Sequence, residues 1–284
     1  MSAQPPPTPN YYHYDPSLAA AIVATVAYGL TTSFHVYQLI RWRTWYFIPF
    51  LAGGLSLVVG YLARSVSISQ QPNYDRNIFI VQSVLILVAP ALYAASIYMI
   101  LGRIILLLDA EPYALIRRSW LTKVFVAGDV VSFLIQACVT VGGAMMAAAE
   151  DPDVFDTAQA IVLVGLAVQI VVFGLFIIVT AVFHRRISLR PTDRSRTVDV
   201  AWNRYILVLY SVSALVMIRS IFRTVEFVQG RDGELMNNEA YLYGFDTLLM
   251  LILSVIFNIF HPGTIISNVY KGAVQLDQVD SQDA

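Results

Sequence analysis

The chain has 284 residues, of which 57% are hydrophobic and only 13% are charged, and its net charge at pH 7 is −1. A soluble domain would carry about 25% charged residues, so this composition excludes an ordinary soluble domain and predicts an all-α polytopic membrane protein. A net charge so close to zero says little about partners, and we expect no nucleic-acid partner. The single cysteine, Cys138, excludes an intramolecular disulfide and a cysteine-based metal cluster.

Seven apolar stretches are long enough to cross the bilayer, which takes about 20 residues of helix. They predict a seven-transmembrane helix bundle over residues 18–263. The expected spans, in chain order, are 18–40, 45–65, 78–102, 120–148, 157–183, 204–227 and 240–260. Residues 1–17 are expected to form an extracellular segment, and residues 264–284 a polar, acidic tail in the cytoplasm.

The lysines and arginines in the loops and near the ends of the spans are divided unevenly between the two sides of the membrane. Because cytoplasmic loops carry the excess of positive charge, the bias predicts that the N-terminus lies outside the cell and the C-terminus in the cytoplasm. Thirteen lie on the predicted cytoplasmic side: Arg41, Arg43, Arg103, Arg117, Arg118, Lys123, Arg185, Arg186, Arg190, Arg194, Arg196, Arg204 and Lys271. Three lie on the other side: Arg64, Arg76 and Arg231.

Charged residues also lie inside the sixth and seventh spans, where hydrocarbon normally excludes them. Arg219, Arg223 and Glu226 are spaced i, i+4, i+7, so they fall within about 40° of one another on one helix face. Asp246 enters the next span roughly 8 Å from its start. Charges at such depth should face one another or a water-filled cavity. A structural ion-pair network and a binding site for a substrate or cation both fit this pattern, and they do not exclude each other.

Other polar residues lie at several depths in the remaining spans. Arg64 closes the second span on the outer side, and Gln82 lies in the outer part of the third. Asp129 and Gln136 are seven residues apart and therefore share one face of the fourth span. This layering predicts a polar path that is strongest in the outer leaflet. The candidate site residues are Arg64, Asp129, Gln136, Arg219, Arg223, Glu226 and Asp246.

Three tyrosines, Tyr11, Tyr12 and Tyr14, come just before the first span. Tyrosine is enriched at both membrane–water interfaces because its ring is apolar and its hydroxyl is polar. We expect these side chains to lie on the membrane surface.

The hypothesis of an enzymatic function depends on three histidines. His35, His184 and His261 fall near the predicted cytoplasmic face, and three histidines with a water can form a catalytic zinc site. A metal-dependent intramembrane hydrolase is therefore an alternative, although no span carries a pair of histidines. Neither a nucleophile elbow, nor a Walker A motif, nor a Gly-rich dinucleotide motif is present. We expect no enzymatic activity, no cofactor and no bound metal.

The chain resembles the fungal RTA-like, lipid-translocating exporter family from about Tyr14 to Gly263. The resemblance depends on the order and spacing of seven motifs: Y-D-P-S (14–17), G-Y-L-A-R (60–64), Q-S-V-L-I-L-V-A-P-A-L-Y-A-A-S-I-Y-M-I-L-G-R (82–103), F-V-A-G-D-V-V-S-F-L-I-Q (125–136), R-S-I-F-R-T-V-E (219–226), Y-G-F-D (243–246) and H-P-G (261–263). It implies a seven-span protein of the plasma membrane that exports or flips lipids and confers resistance to toxic ones; one branch is linked to porphyrin uptake.

These observations together predict a protein that moves an amphipathic lipid, such as a sphingoid base, between leaflets. A cationic or zwitterionic head group would lie among Glu226, Asp246 and Asp129, while the arginines would balance those carboxylates or hold a phosphate. A lipid-sensing receptor or regulator without transport is the second reading. The bilayer and a lipid are the expected partners, and the sequence leaves the oligomeric state open.

Overall fold

A computed structural model describes residues 12, 14–146, 152–198, 200–229 and 233–263 of the chain. Every regular element in these ranges is helical, which confirms the predicted all-α class. The expected cytoplasmic tail, 264–284, and most of the expected extracellular segment, 1–11 and residue 13, lie outside the described residues.

Seven long helices form the bundle, and each is long and apolar enough to cross a membrane, which confirms the predicted number of spans. In chain order they are α1 Leu18–Trp42, α2 Ile48–Ser69, α3 Arg76–Leu107, α4 Arg118–Met146, α5 Pro152–Leu189, α6 Trp202–Gln229 and α7 Glu239–Ile259. Short helical turns precede α2 at Trp45–Phe47, follow α3 at Glu111–Tyr113, and flank α6 at Asp193–Thr197 and Glu234–Asn237.

Polar residues placed just before the apolar runs begin the helices. The Ser17 side chain accepts a hydrogen bond from the backbone N–H of Ala20 at the start of α1. Asp75 accepts from the N–H groups of Asn77 and Ile78 at the start of α3. Both caps satisfy N–H groups that have no partner within the helix. Pro49 lies in the first turn of α2, where its missing N–H has no cost.

The bundle is closed by contacts between α7 and both α6 and α1, while the helices from α1 to α6 each contact the next. Helix α3 also contacts α6 and lies at the centre, with Tyr93 and Tyr98 fully buried. Glycine permits its close approach to α2, since a Cβ atom at Gly53 would lie 2.8 Å from the Tyr93 ring. Large apolar side chains cover the outside of the bundle, among them Val23, Leu30 and Leu175, as expected for helices that face lipid.

We call the end of the bundle that holds Ser69, Arg76, Gln229 and Glu239 the outer end, because the charge bias predicts that it faces the extracellular side. Seven membrane-spanning helices make the chain an integral membrane protein. The polar residues predicted to form a site concentrate at the outer end, between α2, α3, α4, α6 and α7.

Candidate lipid-binding site at the outer end

Four charged residues of α6 and α7 form a cluster that we call the outer ion cluster: Arg219, Arg223, Glu226 and Asp246. Arg219 Nε donates to Oδ1 of Asp246, and Arg223 Nη2 donates to Oδ2 of the same carboxylate. The second amino group of Arg223, Nη1, donates to Glu226 Oε2 at 2.8 Å, one helical turn away. Two arginines and two acids give the cluster no net charge, so its burial between the helices is tolerated.

The carboxylate of Asp246 lies in a π-helical turn, Tyr243–Thr247, near the start of α7. Such a turn is wider than an α-helical one and is frequent at functional sites. The Tyr28 hydroxyl of α1 donates to the Thr247 carbonyl at 2.6 Å, which ties the turn to the neighbouring helix. With 2% of its side chain exposed, Asp246 has both oxygens occupied by arginine.

A second ion pair joins α2 to α7. Arg64 Nη2 lies 2.7 Å from Oε1 of Glu239 and also donates to the Tyr14 hydroxyl at 2.8 Å. The other carboxylate oxygen of Glu239 accepts from the backbone N–H of Ser17 at 2.8 Å. Arg64 and Glu239 therefore connect the start of α1, the end of α2 and the start of α7.

Three tyrosine rings surround the Arg64 guanidinium. Its carbon lies 5.3 Å from the ring centre of Tyr12 and 5.8 Å from those of Tyr14 and Tyr243, distances at which aromatic faces attract a cation. Burial raises the pKa of Tyr14 above its usual value, although Arg64 acts in the opposite direction, so the Tyr14 side chain remains a neutral hydroxyl.

The expectation that Tyr12 lies on the membrane surface is wrong. Only 5% of Tyr12 is exposed, and its hydroxyl lies 2.8 Å from Gln82 Nε2 and 3.1 Å from Ser67 Oγ. Tyr14 is half-buried against Arg64. The hydroxyls of Tyr12 and Tyr14 therefore form hydrogen bonds inside the bundle and do not lie at the membrane–water interface. Tyr11 lies outside the described residues.

A cavity of about 230 Å³ lies between these groups at the outer end. Polar side chains in its lining include Arg64, Gln82, Gln136, Arg223, Glu226 and Asn238. Apolar ones include Phe79, Leu166 and Phe227, and Tyr12 also lines it. A space lined by both charged and apolar side chains matches an amphipathic ligand.

Most of the predicted site residues meet at this cavity. Arg64, Gln136, Arg223 and Glu226 line it, and Arg219 and Asp246 lie behind Arg223 in the outer ion cluster. Asp129 is separate from them. It lies deeper on α4, where Oδ2 accepts a hydrogen bond of 2.7 Å from the Tyr98 hydroxyl.

Several residues of the site were absent from the predicted set, namely Glu239, Tyr12, Tyr14, Asn238 and Gln82. Glu239 carries the partner charge of Arg64, and a search for an acid at the predicted start of the seventh span would have found it. Tyr14 opens the first of the motifs that carry the family resemblance. Gln82 lies near the start of α3 at the outer end, but nothing in the sequence indicates that Tyr12 is its partner.

The three histidines lie in two places. His35 and His261 are neighbours, with ring centres 6.5 Å apart, and burial lowers the pKa of His261 to about 4. His184 instead lies 3.0 Å from Asn203 Oδ1 and close to Tyr210, both on α6. Across the described part of the chain, no three histidine, cysteine or acidic side chains are grouped closely enough to hold a metal ion. This placement does not support a three-histidine zinc site.

Comparison with known proteins identifies the family. The family described as RTA1 like protein matches residues 50–268 of the chain. The chain belongs to the RTA1-like family. This finding confirms the resemblance seen in the motifs, and no solved structure matches the chain.

Three RTA1-like relatives come from Saccharomyces cerevisiae. Protein RTA1 is 36% identical, over 94% of this chain and 89% of the relative. Protoporphyrin uptake protein 1 is 35% identical, over 91% of this chain and 93% of the relative. Sphingoid long-chain base transporter RSB1 is 28% identical, over 87% of this chain and 72% of the relative. The last two names describe uptake and transport rather than catalysis.

Proposed function

We propose that this RTA1-like protein moves a single-chain lipid with an amine-bearing head group, such as a sphingoid base, between the leaflets of the plasma membrane. The observation that carries the proposal is the position of Glu226. Glu226 lines the cavity, and within the described residues only its Oε2 atom is engaged, by Arg223. The sphingoid-base transporter among the relatives supports the choice of lipid.

The head group would bind through its ammonium to Glu226. Asp246 is not available for this role, because two arginines occupy its oxygens. Gln136 and Asn238 also line the cavity, and their amide groups would pair with hydroxyl groups beside the amine. The first methylene groups would pack on Phe79 and Phe227, and the rest of the chain would extend between the helices into lipid.

The size of the cavity favours a compact head group. Its volume of about 230 Å³ is below the roughly 300–1,000 Å³ of pockets that enclose most of a drug-sized ligand. The polar end of a single-chain lipid needs less space than a macrocycle, since its tail stays outside. A porphyrin, which the name of one relative suggests, would require the walls to move apart.

The predicted orientation assigns the cavity to the extracellular leaflet. A lipid leaving the cell would reach Glu226 at the end of its path and be released from there, which is the arrangement that lipid resistance requires. The N-terminus is outside and the C-terminus cytoplasmic in this proposal.

Leaflet exchange tests the proposal directly. The purified protein is placed in liposomes, and a fluorescent sphingoid base is followed with a quencher that does not cross the bilayer. We expect Glu226→Gln to slow exchange about 10-fold to 100-fold, because a hydrogen bond to a charged group contributes about 1.5–3 kcal/mol. The glutamine carbonyl still accepts from Arg223, and both ion pairs of Asp246, with Arg219 and with Arg223, remain.

Glu111→Gln is the matched control, since this exposed side chain on the loop after α3 undergoes the same chemical change far from the cavity. Exchange by Glu226→Gln at the rate of Glu111→Gln would contradict the proposed role of Glu226. Binding of the labelled base without any exchange by the unmodified protein would instead support the lipid-sensing alternative.

A further inference from the structure

Asp129 is a buried carboxyl group that has one hydrogen-bonding partner among the residues that the structure describes. It is 4% exposed and lies about 16 Å along α4 from the start of the helix at Arg118, near the middle of the membrane. Its Oδ2 atom accepts from the Tyr98 hydroxyl at 2.7 Å. Its Oδ1 atom has no hydrogen-bonding partner among the described residues.

The charges around Asp129 differ from those around the outer ion cluster. Helix α4 packs against α3 and α5. From α3 the Tyr98 hydroxyl faces Asp129, and the Tyr98 ring packs against Phe173 and Phe176 of α5. In the described part of the chain, no arginine, lysine or histidine acts on this carboxyl, and Tyr98 is its only titratable neighbour.

A carboxylate without a cation is costly in such surroundings, whereas a neutral carboxylic acid is not. A proton on Oδ1 removes the charge and leaves Oδ2 as the acceptor for Tyr98. The carboxylate of Asp246 avoids this cost because two arginines, Arg219 and Arg223, are paired with it. No cation among the described residues neutralises Asp129, so a proton takes that role, and a proton can be exchanged.

A row of polar side chains, the α4 stripe, extends along one face of the helix from Asp129 to the cavity, and the Ser132 hydroxyl in it donates to the Gly165 carbonyl at 2.7 Å. The α4 stripe consists of Asp129, Ser132 and Gln136, which share one buried face because they are spaced i, i+3, i+7. Gln136 Nε2 donates to Ser132 Oγ at 2.9 Å, and Gln136 lines the cavity. The stripe covers about 10 Å of helix axis.

We infer that Asp129 is a proton-binding site, loaded from the water of the outer cavity along the α4 stripe, which links lipid movement to proton movement. The proton comes from cavity water, forms an O–H bond at Oδ1, and returns to water when that bond breaks. The coupling to lipid movement rests on the proposed function, whereas the proton site itself does not.

Infrared spectroscopy of the purified protein tests the proton site without any transport. A protonated carboxyl group gives a carbonyl stretching band that disappears on ionisation and shifts when the proton is replaced by deuterium. We expect Asp129→Asn to remove one such band, which in the unmodified protein weakens as the pH rises. Asp109→Asn, the same change at an exposed loop position, should keep it. A spectrum unchanged by Asp129→Asn, or a band that neither titrates nor exchanges, would overturn the site.

The path is tested by the rate of that isotope exchange. Ser132→Ala removes the hydroxyl that accepts from Gln136, and we expect it to slow deuterium entry at Asp129 while the band itself remains. Exchange as fast as in the unmodified protein would overturn the route along the α4 stripe.

Coupling is tested by leaflet exchange of the labelled sphingoid base across liposomes with a pH difference. We expect acidification on the cavity side to speed exchange by the unmodified protein, and Asp129→Asn to exchange the lipid without responding to pH. A response that Asp129→Asn retains, or no response by an unmodified protein that exchanges lipid, would overturn coupling and leave the proposed function standing. Absence of all lipid exchange would overturn the proposed function, and the infrared titration would still decide the proton site.

Discussion

The negative charge of two buried aspartates in the same bundle is compensated in different ways. Asp246 on α7 is 2% exposed and receives hydrogen bonds from both Arg219 and Arg223. Asp129 on α4 is 4% exposed and receives one hydrogen bond, from the Tyr98 hydroxyl. The difference separates a charge fixed by ion pairing, which holds helices together, from a group whose charge depends on a proton.

The two surroundings should respond differently to mutation. Removal of one member of a buried ion-pair network leaves the remaining charges unpaired, and that is expensive. Replacement of a neutral carboxyl by a neutral amide of the same shape changes little in the packing. Stability measurements should therefore separate the two aspartates clearly.

The largest effect is expected from Asp246→Asn. It leaves Arg219 and Arg223 without their shared carboxylate, so we expect the free energy of unfolding in detergent to fall by about 3–5 kcal/mol. Asp129→Asn should cost less than about 1 kcal/mol, because the amide oxygen still accepts from Tyr98. Equal losses in the two variants would contradict the comparison. Asp109→Asn, at an exposed position, supplies the baseline.

A smaller effect is expected from Gly165→Ala, which tests the close contact of α5 with the α4 stripe. The added Cβ would lie 3.0 Å from Cγ of Gln136 and 3.2 Å from the Ser132 carbonyl oxygen. We expect a loss of about 1–3 kcal/mol in the free energy of unfolding, since the two helices must separate. Gly29→Ala is the control, because a Cβ there meets nothing within 4 Å. A Gly165→Ala variant as stable as that control would show that the contact can relax.

The smallest effect is expected from Tyr98→Phe. It removes the hydroxyl that donates to Asp129 and should lower the free energy of unfolding by about 1 kcal/mol. The carbonyl band of Asp129 should also shift, because its hydrogen bond is lost. Tyr37→Phe, at an exposed position on α1, should change neither quantity. An unshifted band in Tyr98→Phe would mean that Asp129 does not keep this partner in the membrane.

The number and order of the spans follow from the sequence because bilayer thickness imposes a length on every apolar run. The ends of the spans are predicted less accurately from the sequence. Helix α5 continues to Leu189, past the predicted end at residue 183, since a helix persists into water where its residues favour it. The sequence also gives no sign of the π-helical turn at Tyr243–Thr247, because the apolar pattern of the seventh span is that of one continuous helix.

The grouping of Arg219, Arg223 and Glu226 was predictable from helical spacing, and the need for partners pointed to Asp246. The same argument placed Asp129 with the head group, but its surroundings contain no cation in the described residues. A buried acid can be neutralised by a cation or by a proton, and the sequence does not distinguish these cases. The pairing of Arg64 with Glu239 depends on which helix ends meet in the bundle, so spacing along the chain did not reveal it.

The burial of Tyr12 has a practical consequence for work with this protein. Its hydroxyl is anchored to Gln82 and Tyr12 lines the cavity, so a change at this position should disturb the proposed binding site. An affinity tag fused directly to Tyr12 should therefore reduce the proposed lipid movement. With the predicted orientation, an antibody fragment that displaces Tyr12 should inhibit this movement when it is added outside the cell.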